Sequence, residues 1–359
     1  MLKHALITAL AAALMMAGGC ASDADNWRYS RKKAQASLNK LEDPGLVIGE
    51  FTLARDAVVD GDTLKVDGLE TSLRLLAMDT EEKFRNKPDA RLAETDWNAY
   101  LAKKRAESRK PPKMATPMGL AATKFAKAWF ADVKTVRLER DHPKEIRGRY
   151  NRYLAYVFAK KDGVWKNYNL EAVRAGMSPY FMKYGYSRRF HDLFVAAEKE
   201  AKEAQRGIWN PEAKSYGDYD LRRRWWTNRA EFIKQFEIEA QGRDDMIALT
   251  NWDAIKRIEE HTGKEIEVLA TVGQIRMSEK GPTKVMLSRR MFNDFPVIFW
   301  DRDVFGTSGI ADYKGEFVRV KGVVNKYHNK YKNRDELQIV VNLPSQVKGS
   351  PLISWKESS

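Results

Sequence analysis

Two blocks of short apolar-alternating segments, separated by a helical stretch, constrain this chain most. The first block holds FTLARDAVV, DTLKV, TSLRLLAMD, VKTVRLER and RYLAYVFA, between Phe51 and Ala159. Each alternates or runs apolar as a strand does. The second holds EIEVLATVGQIRM, KVMLSRR, FPVIFW, EFVRVKGVV and LQIVVNL, between Glu265 and Leu343. Five strands with glycine-containing turns, and a weak or absent helix before the fourth, fit a small Greek-key barrel of the OB type. The expected class is α+β, mainly β.

Helical periodicity fills the spaces between. Gly119–Phe130, Leu170–Ala175 with Gly176 as its stop, His191–Gln205 and Leu221–Gln241 carry it. Lys83–Met118 is dense in charge, includes RKPPK and has a helical middle, so it reads as an insertion. The expected divisions are 1–19, a signal peptide; 20–45, a polar tether; 46–211, a first folded unit with its insertion at 83–118; 212–262, a helical linker; 263–348, the OB-like unit; and 349–359, a tail. A chain of 359 residues is long enough for two such cores.

The N-terminus places Lys3 before an apolar run, Ala5–Met16, and then Ala17-Gly18-Gly19-Cys20. This is a secretory layout, too short for a comfortable membrane span. Cys20 is the only cysteine, so no intrachain disulfide can form. A lone cysteine after small residues resembles a bacterial lipobox, although Ala17 stands where leucine is usual. The expectation is an extracytoplasmic protein lipidated at Cys20 and held in the outer membrane, with no obligate protein partner.

The net charge of +14 directs attention to anionic partners, phosphate polymers and acidic membranes alike. Acids nevertheless gather at two strand ends. Asp60-Gly61-Asp62-Thr63 has the composition of a hairpin turn. Asp79-Thr80-Glu81-Glu82 closes the third strand of the first block, which also carries Arg74. If these strands pair as a meander, Asp62 and Asp79 converge, and two carboxylates with a backbone carbonyl and waters suit calcium. The five histidines are scattered, which argues against zinc and against a histidine base. Arginines surround the turn before the fifth strand, in Arg147-Gly148-Arg149-Tyr150-Asn151-Arg152, and a guanidinium fork suits phosphate.

VVDGDT, RLLAMDTEE, RYNRYLAYV and RGIWN, in that order, resemble the thermonuclease (staphylococcal nuclease-like) family over residues 46–211. The resemblance implies a nuclease-type OB barrel with packed helices. It implies a calcium-dependent phosphodiesterase that releases 3′-phosphate products from DNA, RNA or both. It assigns Asp62, Asp79 and the Thr80 carbonyl to calcium, Glu82 to the general base, and Arg74 and Arg152 to the phosphate. Arg149, Tyr150 and one of Tyr180 or Tyr184 would meet the nucleotide, with Asp60 supporting the site from behind. Glu81 replaces the proline common in the family, and Gly148 replaces an acid.

In the second block, NKYHNKYKNRDE interleaves Lys326 and Lys330 with Tyr327 and Tyr331, a combination suited to holding single strands. A second reading, from another class, is a catalytically inactive nucleic-acid-binding envelope lipoprotein. The retained acids and arginines argue against it.

Overall fold

A bend within one long strand organises the first barrel. The computed structural model describes residues 46–354 except 108–109, 149, 289–293 and 331–332. Cys20, Arg149 and Tyr331 lie outside the described residues, as do the signal and tether segments. Strand β1 (Val47–Asp60) pairs through its first half with β4 (Thr135–Glu139) and through its second half with β2 (Thr63–Val66). Between the halves the register slips, and Asp56 takes φ 52°. Such a bulge turns the strand from one partner to the next. β2 continues to β3 (Leu73–Leu75), which pairs in parallel with β5 (Leu154–Lys161) and closes the ring β1-β2-β3-β5-β4. A further strand, β6 (Val164–Asn167), lies beside β5.

Leu64, Leu73, Leu75, Val136, Leu138, Ala155 and Val157 fill this barrel. The helices of the first unit are α1 (Lys87–Thr95), α2 (Trp97–Ala106), α3 (Pro117–Trp129), α4 (Tyr168–Arg174) and α5 (His191–Glu203). Thr116 caps α3 by accepting from the Gly119 N–H at 3.3 Å, and Pro117 suits its first turn. The insertion is a helical pair, α1 and α2, split at Asp96. That residue ends one helix and caps the next by accepting from Ala99 N–H at 2.9 Å. Its apolar face packs with Ile208, Tyr216 and Tyr219. RGIWN owes its glycine to close packing: a Cβ at Gly207, which has φ 56°, would lie 2.0 Å from the Gly176 carbonyl oxygen.

The second sheet begins earlier than Gly263. Strand β7 (Met246–Ala248) pairs with β8 (Glu265–Arg276), and helix α7 (Ala254–Glu260) buries Ala254 and Ile258 in the second core. With β9 (Thr283–Ser288), β10 (Phe295–Phe299), β11 (Phe317–Asn329) and β12 (Arg334–Val340), β8 closes a ring β8-β9-β10-β12-β11. Its third and fifth strands, β10 and β12, are parallel, as are β3 and β5. The two barrels therefore share one connectivity, that of the OB fold. The connection before the fourth strand does carry a helix, α8 (Arg302–Thr307), capped by Asp301. It is too short to register as periodicity. A last strand, β13 (Val347–Gly349), edges the sheet beside β11.

One long helix between the units, the 21-residue α6 (Tyr219–Glu239), joins the barrels. Trp225 and Trp226 pack against the first core, and Phe232, Ile233 and Phe236 meet Met246, Leu269 and Phe317 of the second. The tryptophan pair is interdomain packing, with Trp226 edge-on to Phe181 at 4.9 Å.

Candidate active site

The β1–β2 hairpin puts Asp62 where chemistry can use it. Asp60 pairs with Thr63, so Gly61 and Asp62 are the two central turn residues. Gly61 is required by proximity: a Cβ there would meet Thr80 Cγ2 at 2.7 Å and Ala122 Cβ at 2.8 Å. Tyr168 Oη donates to the Gly61 carbonyl at 2.8 Å and fixes the turn from the core side. The Asp62 carboxylate accepts from Thr63 Oγ1 at 3.0 Å and from Thr80 N–H at 3.3 Å. Asp60 accepts from the Asp62 N–H at 3.3 Å, so it supports the turn.

Arg74 projects from the middle of β3, its N–H bonded to the Tyr153 carbonyl at 2.8 Å. Its Nη1 pairs with Asp62 and its Nη2 with Asp79. One planar fork thus joins the two acids. Asp79 is fixed by its own backbone, whose N–H donates to Ser178 Oγ at 2.8 Å. Two residues earlier, Ala77 takes φ 59°, and the chain turns sharply after the strand.

The two buried acids are not electrically alike. Burial foremost, aided by Asp79 and Asp60 against Arg74, pushes Asp62 up to about 6. Burial also works against Asp79, but Lys113 and Arg74 override it and hold that carboxyl below the usual range. Lys113 Nζ lies 2.6 Å from Asp79 Oδ1. Sequence reading missed this lysine. Its only local signal was the basic RKPPK run, and the contact depends on how the insertion folds back.

Glu81 and Glu82 take different places. Glu81 is buried, accepting from Thr116 Oγ1, from Tyr216 N–H at 2.8 Å and from Tyr219 Oη at 2.6 Å. Burial raises its pKa. It ties the loop after β3 to the start of α3 and to the start of α6. The Glu82 side chain is 36% exposed, with Arg85 3.6 Å away, and its carbonyl accepts from Thr116 N–H at 2.9 Å. Of the two, Glu82 is the one that water can reach.

Arg152 leaves a tight turn in which Asn151, at φ 62°, donates to the Gly148 carbonyl at 3.0 Å. It precedes β5 by two residues, and Leu154 at the start of that strand pairs with Arg74. Tyr150 is exposed at the same turn. The two candidate tyrosines separate cleanly. Tyr180 is core, stacked on Phe194 at 5.1 Å with its hydroxyl bonded to Ser187 N–H at 2.9 Å. Tyr184 is exposed. In the β11–β12 hairpin, Tyr327 and Lys330 are exposed, while Lys326 lies 3.7 Å from Glu259. That hairpin belongs to the second barrel and is not part of the acid–arginine cluster.

A family model described as "Staphylococcal nuclease homologue" matches residues 73–211. An uncharacterized protein of Methanocaldococcus jannaschii is 33% identical over 172 residues, spanning 43% of this chain and 69% of that protein. The chain belongs to the staphylococcal nuclease homologue family. An uncharacterized protein of Bacillus anthracis is 32% identical over 156 residues, 43% of this chain and 58% of that protein. Membership makes nucleic-acid hydrolysis the general type of function, and the closed first barrel fits the family fold.

The family's metal can be tested against the donors. Among the described residues no group of three or more His, Cys, Asp or Glu side chains is arranged to hold a metal. Asp62, Asp79 and the Thr80 carbonyl nevertheless offer only oxygen, and the positive Arg74 fork joins both carboxylates. This donor set fits a hard divalent cation whose remaining ligands are water.

Asp62→Asn should separate stability from binding. A carboxyl whose pKa is raised on folding costs stability as pH climbs from 3.8 through about 6, so at neutral pH, where Asp62 is mostly ionised, its buried charge opposes folding. The variant is expected to be more stable than wild type in chelator, by on the order of 1–3 kcal/mol. Calcium should raise the wild-type melting temperature and leave the variant's unmoved. A variant less stable than wild type in chelator would mean that the charge serves the fold.

Proposed function

We propose that this protein is an extracytoplasmic, calcium-dependent nuclease that cleaves DNA, RNA or both to 3′-phosphate products. The single observation that carries this is the Arg74 fork joining buried Asp62 and Asp79 at the mouth of the first barrel. Arg74 on β3 and Arg152 in the turn ahead of β5 bind and orient the scissile phosphate. Both offset the negative charge that grows on its oxygens in the five-coordinate transition state. Glu82 orients the attacking water and accepts its proton. Calcium, when bound by Asp62, Asp79 and the Thr80 carbonyl, supplies further positive charge at the phosphate. Tyr150 and Tyr184 contact the nucleotide, and Arg149 is assigned to it from the sequence alone.

The second barrel holds the strand through Lys326, Tyr327, Lys330 and Tyr331. Cys20 carries the lipid that anchors the protein in the outer membrane. The decisive experiment incubates the chain with single-stranded DNA and RNA, in calcium and in chelator. Cleavage should require calcium. Salt-sensitive binding without cleavage would favour an inactive nucleic-acid-binding lipoprotein instead.

A further inference from the structure

Three parts of the molecule grip the return limb of the insertion. Lys110 Nζ lies 2.5 Å from Glu316 Oε1, just ahead of β11 in the second barrel. The Pro112 carbonyl accepts from Arg222 Nη2 of the interdomain helix at 2.7 Å. Lys113 reaches Asp79 of the first barrel. Two consecutive prolines, Pro111 and Pro112, restrict the backbone between these contacts. The limb is a stiff strap that ends in an amine at the active site.

Stability alone does not account for that amine. The Lys113 side chain is 46% exposed, and Asp79 already pairs with Arg74. The lysine end of the pair is open to water, so its amine can leave Asp79 without itself being buried. The Lys113 amine and the Arg74 guanidinium each stand 5.9 Å from the centre of the Phe181 ring. Two cations therefore share two acids: Arg74 spans Asp62 and Asp79, and Lys113 meets only Asp79. Lysine is a compact charge on a flexible four-carbon stem, so it can turn from Asp79 to a nearby phosphate oxygen while the strap stays still.

We infer that Lys113 binds the substrate phosphate alongside Arg74, and that the second barrel sets its position through the Lys110–Glu316 pair. The nature of the anion rests on the nuclease reading above. Lys113 is a substrate-binding residue; Lys110 and Glu316 are positioning residues that act through it. The second barrel then shapes the site for short substrates as well as long ones.

Equilibrium titration of the full chain with thymidine 3′-monophosphate in calcium tests this without turnover. Lys113→Ala should weaken binding about tenfold, the worth of one charge-assisted hydrogen bond. Lys113→Arg should restore most of it. Lys110→Ala should weaken binding about threefold, on the same scale, and Lys110→Arg should recover it. All four should keep the wild-type fold by circular dichroism, and each arginine variant should regain affinity together with any melting temperature its alanine counterpart loses. Wild-type affinity in Lys113→Ala would overturn the inference, as would a wild-type chain that does not bind the nucleotide. Wild-type affinity in Lys110→Ala would overturn the second barrel's part in it. A chain that binds through Lys113 yet never cleaves would support the inference and sink the nuclease reading.

Discussion

Replacing Arg74 with alanine is expected to lower kcat in saturating calcium by on the order of a hundred- to a thousandfold, the scale of losing one charged donor at a developing oxyanion. The fork is anchored by β3 and touches Asp62 and Asp79 together, so neighbouring side chains hold it in place before substrate arrives. Arg74→Lys keeps the charge but not the planar pair of donors, and should recover only part of the loss. Stability should respond differently with and without metal. In chelator, alanine leaves Asp62 buried without its cationic partner, and the variant should melt below wild type. Calcium should narrow that gap, because it supplies the missing charge. Unchanged kcat would remove Arg74 from the chemistry.

Glu316→Ala is expected to destabilise the chain by about 3–5 kcal/mol in equilibrium denaturation, the cost of stranding a buried charge. Arg229 is 1% exposed and Glu316 3%. Arg229 donates from Nε to the Lys183 carbonyl at 2.9 Å and from Nη1 to the Gly315 carbonyl at 3.0 Å. Trp225 Nε1 donates to Glu316 at 3.0 Å. The pair thus joins residues of the first unit, the interdomain helix and the second barrel. Its loss should also reduce the cooperativity of unfolding, with the two barrels melting in separate steps. Replacing both partners, as Arg229→Met with Glu316→Leu, should cost much less, because no charge is left unpaired. A loss below about 1 kcal/mol for the single change would mean that water already solvates the pair.

What could be read in the sequence was carried by local pattern. Asp62 and Arg74 sit in a turn and in a strand, as alternation and turn chemistry indicate, whereas Asp79 lies four residues past β3, beyond the sharp turn at Ala77. Both barrels were visible as strand-rich blocks for the same reason. Within Asp60-Gly61-Asp62-Thr63, the pairing of Asp60 with Thr63 decides that Gly61 and Asp62 are the central residues. Met246–Ala248 is too short to show alternation, so the second sheet's edge was read as linker. Lys113, and the burial of Glu81 beneath Tyr216 and Tyr219, depend on contacts between distant segments. No local period encodes those contacts. Tyr180 and Tyr184 look alike in the chain; only packing sends one into the core and leaves the other exposed.

The ends of the products test the central claim most directly. A 5′-labelled oligonucleotide is cleaved by the full chain in calcium, and the fragments are run before and after phosphatase treatment. Fragments should slow after removal of a 3′-phosphate, with none formed in chelator and only traces formed by Arg74→Ala in the same time. Fragments ending in a 3′-hydroxyl, or cleavage that persists in chelator, would contradict it.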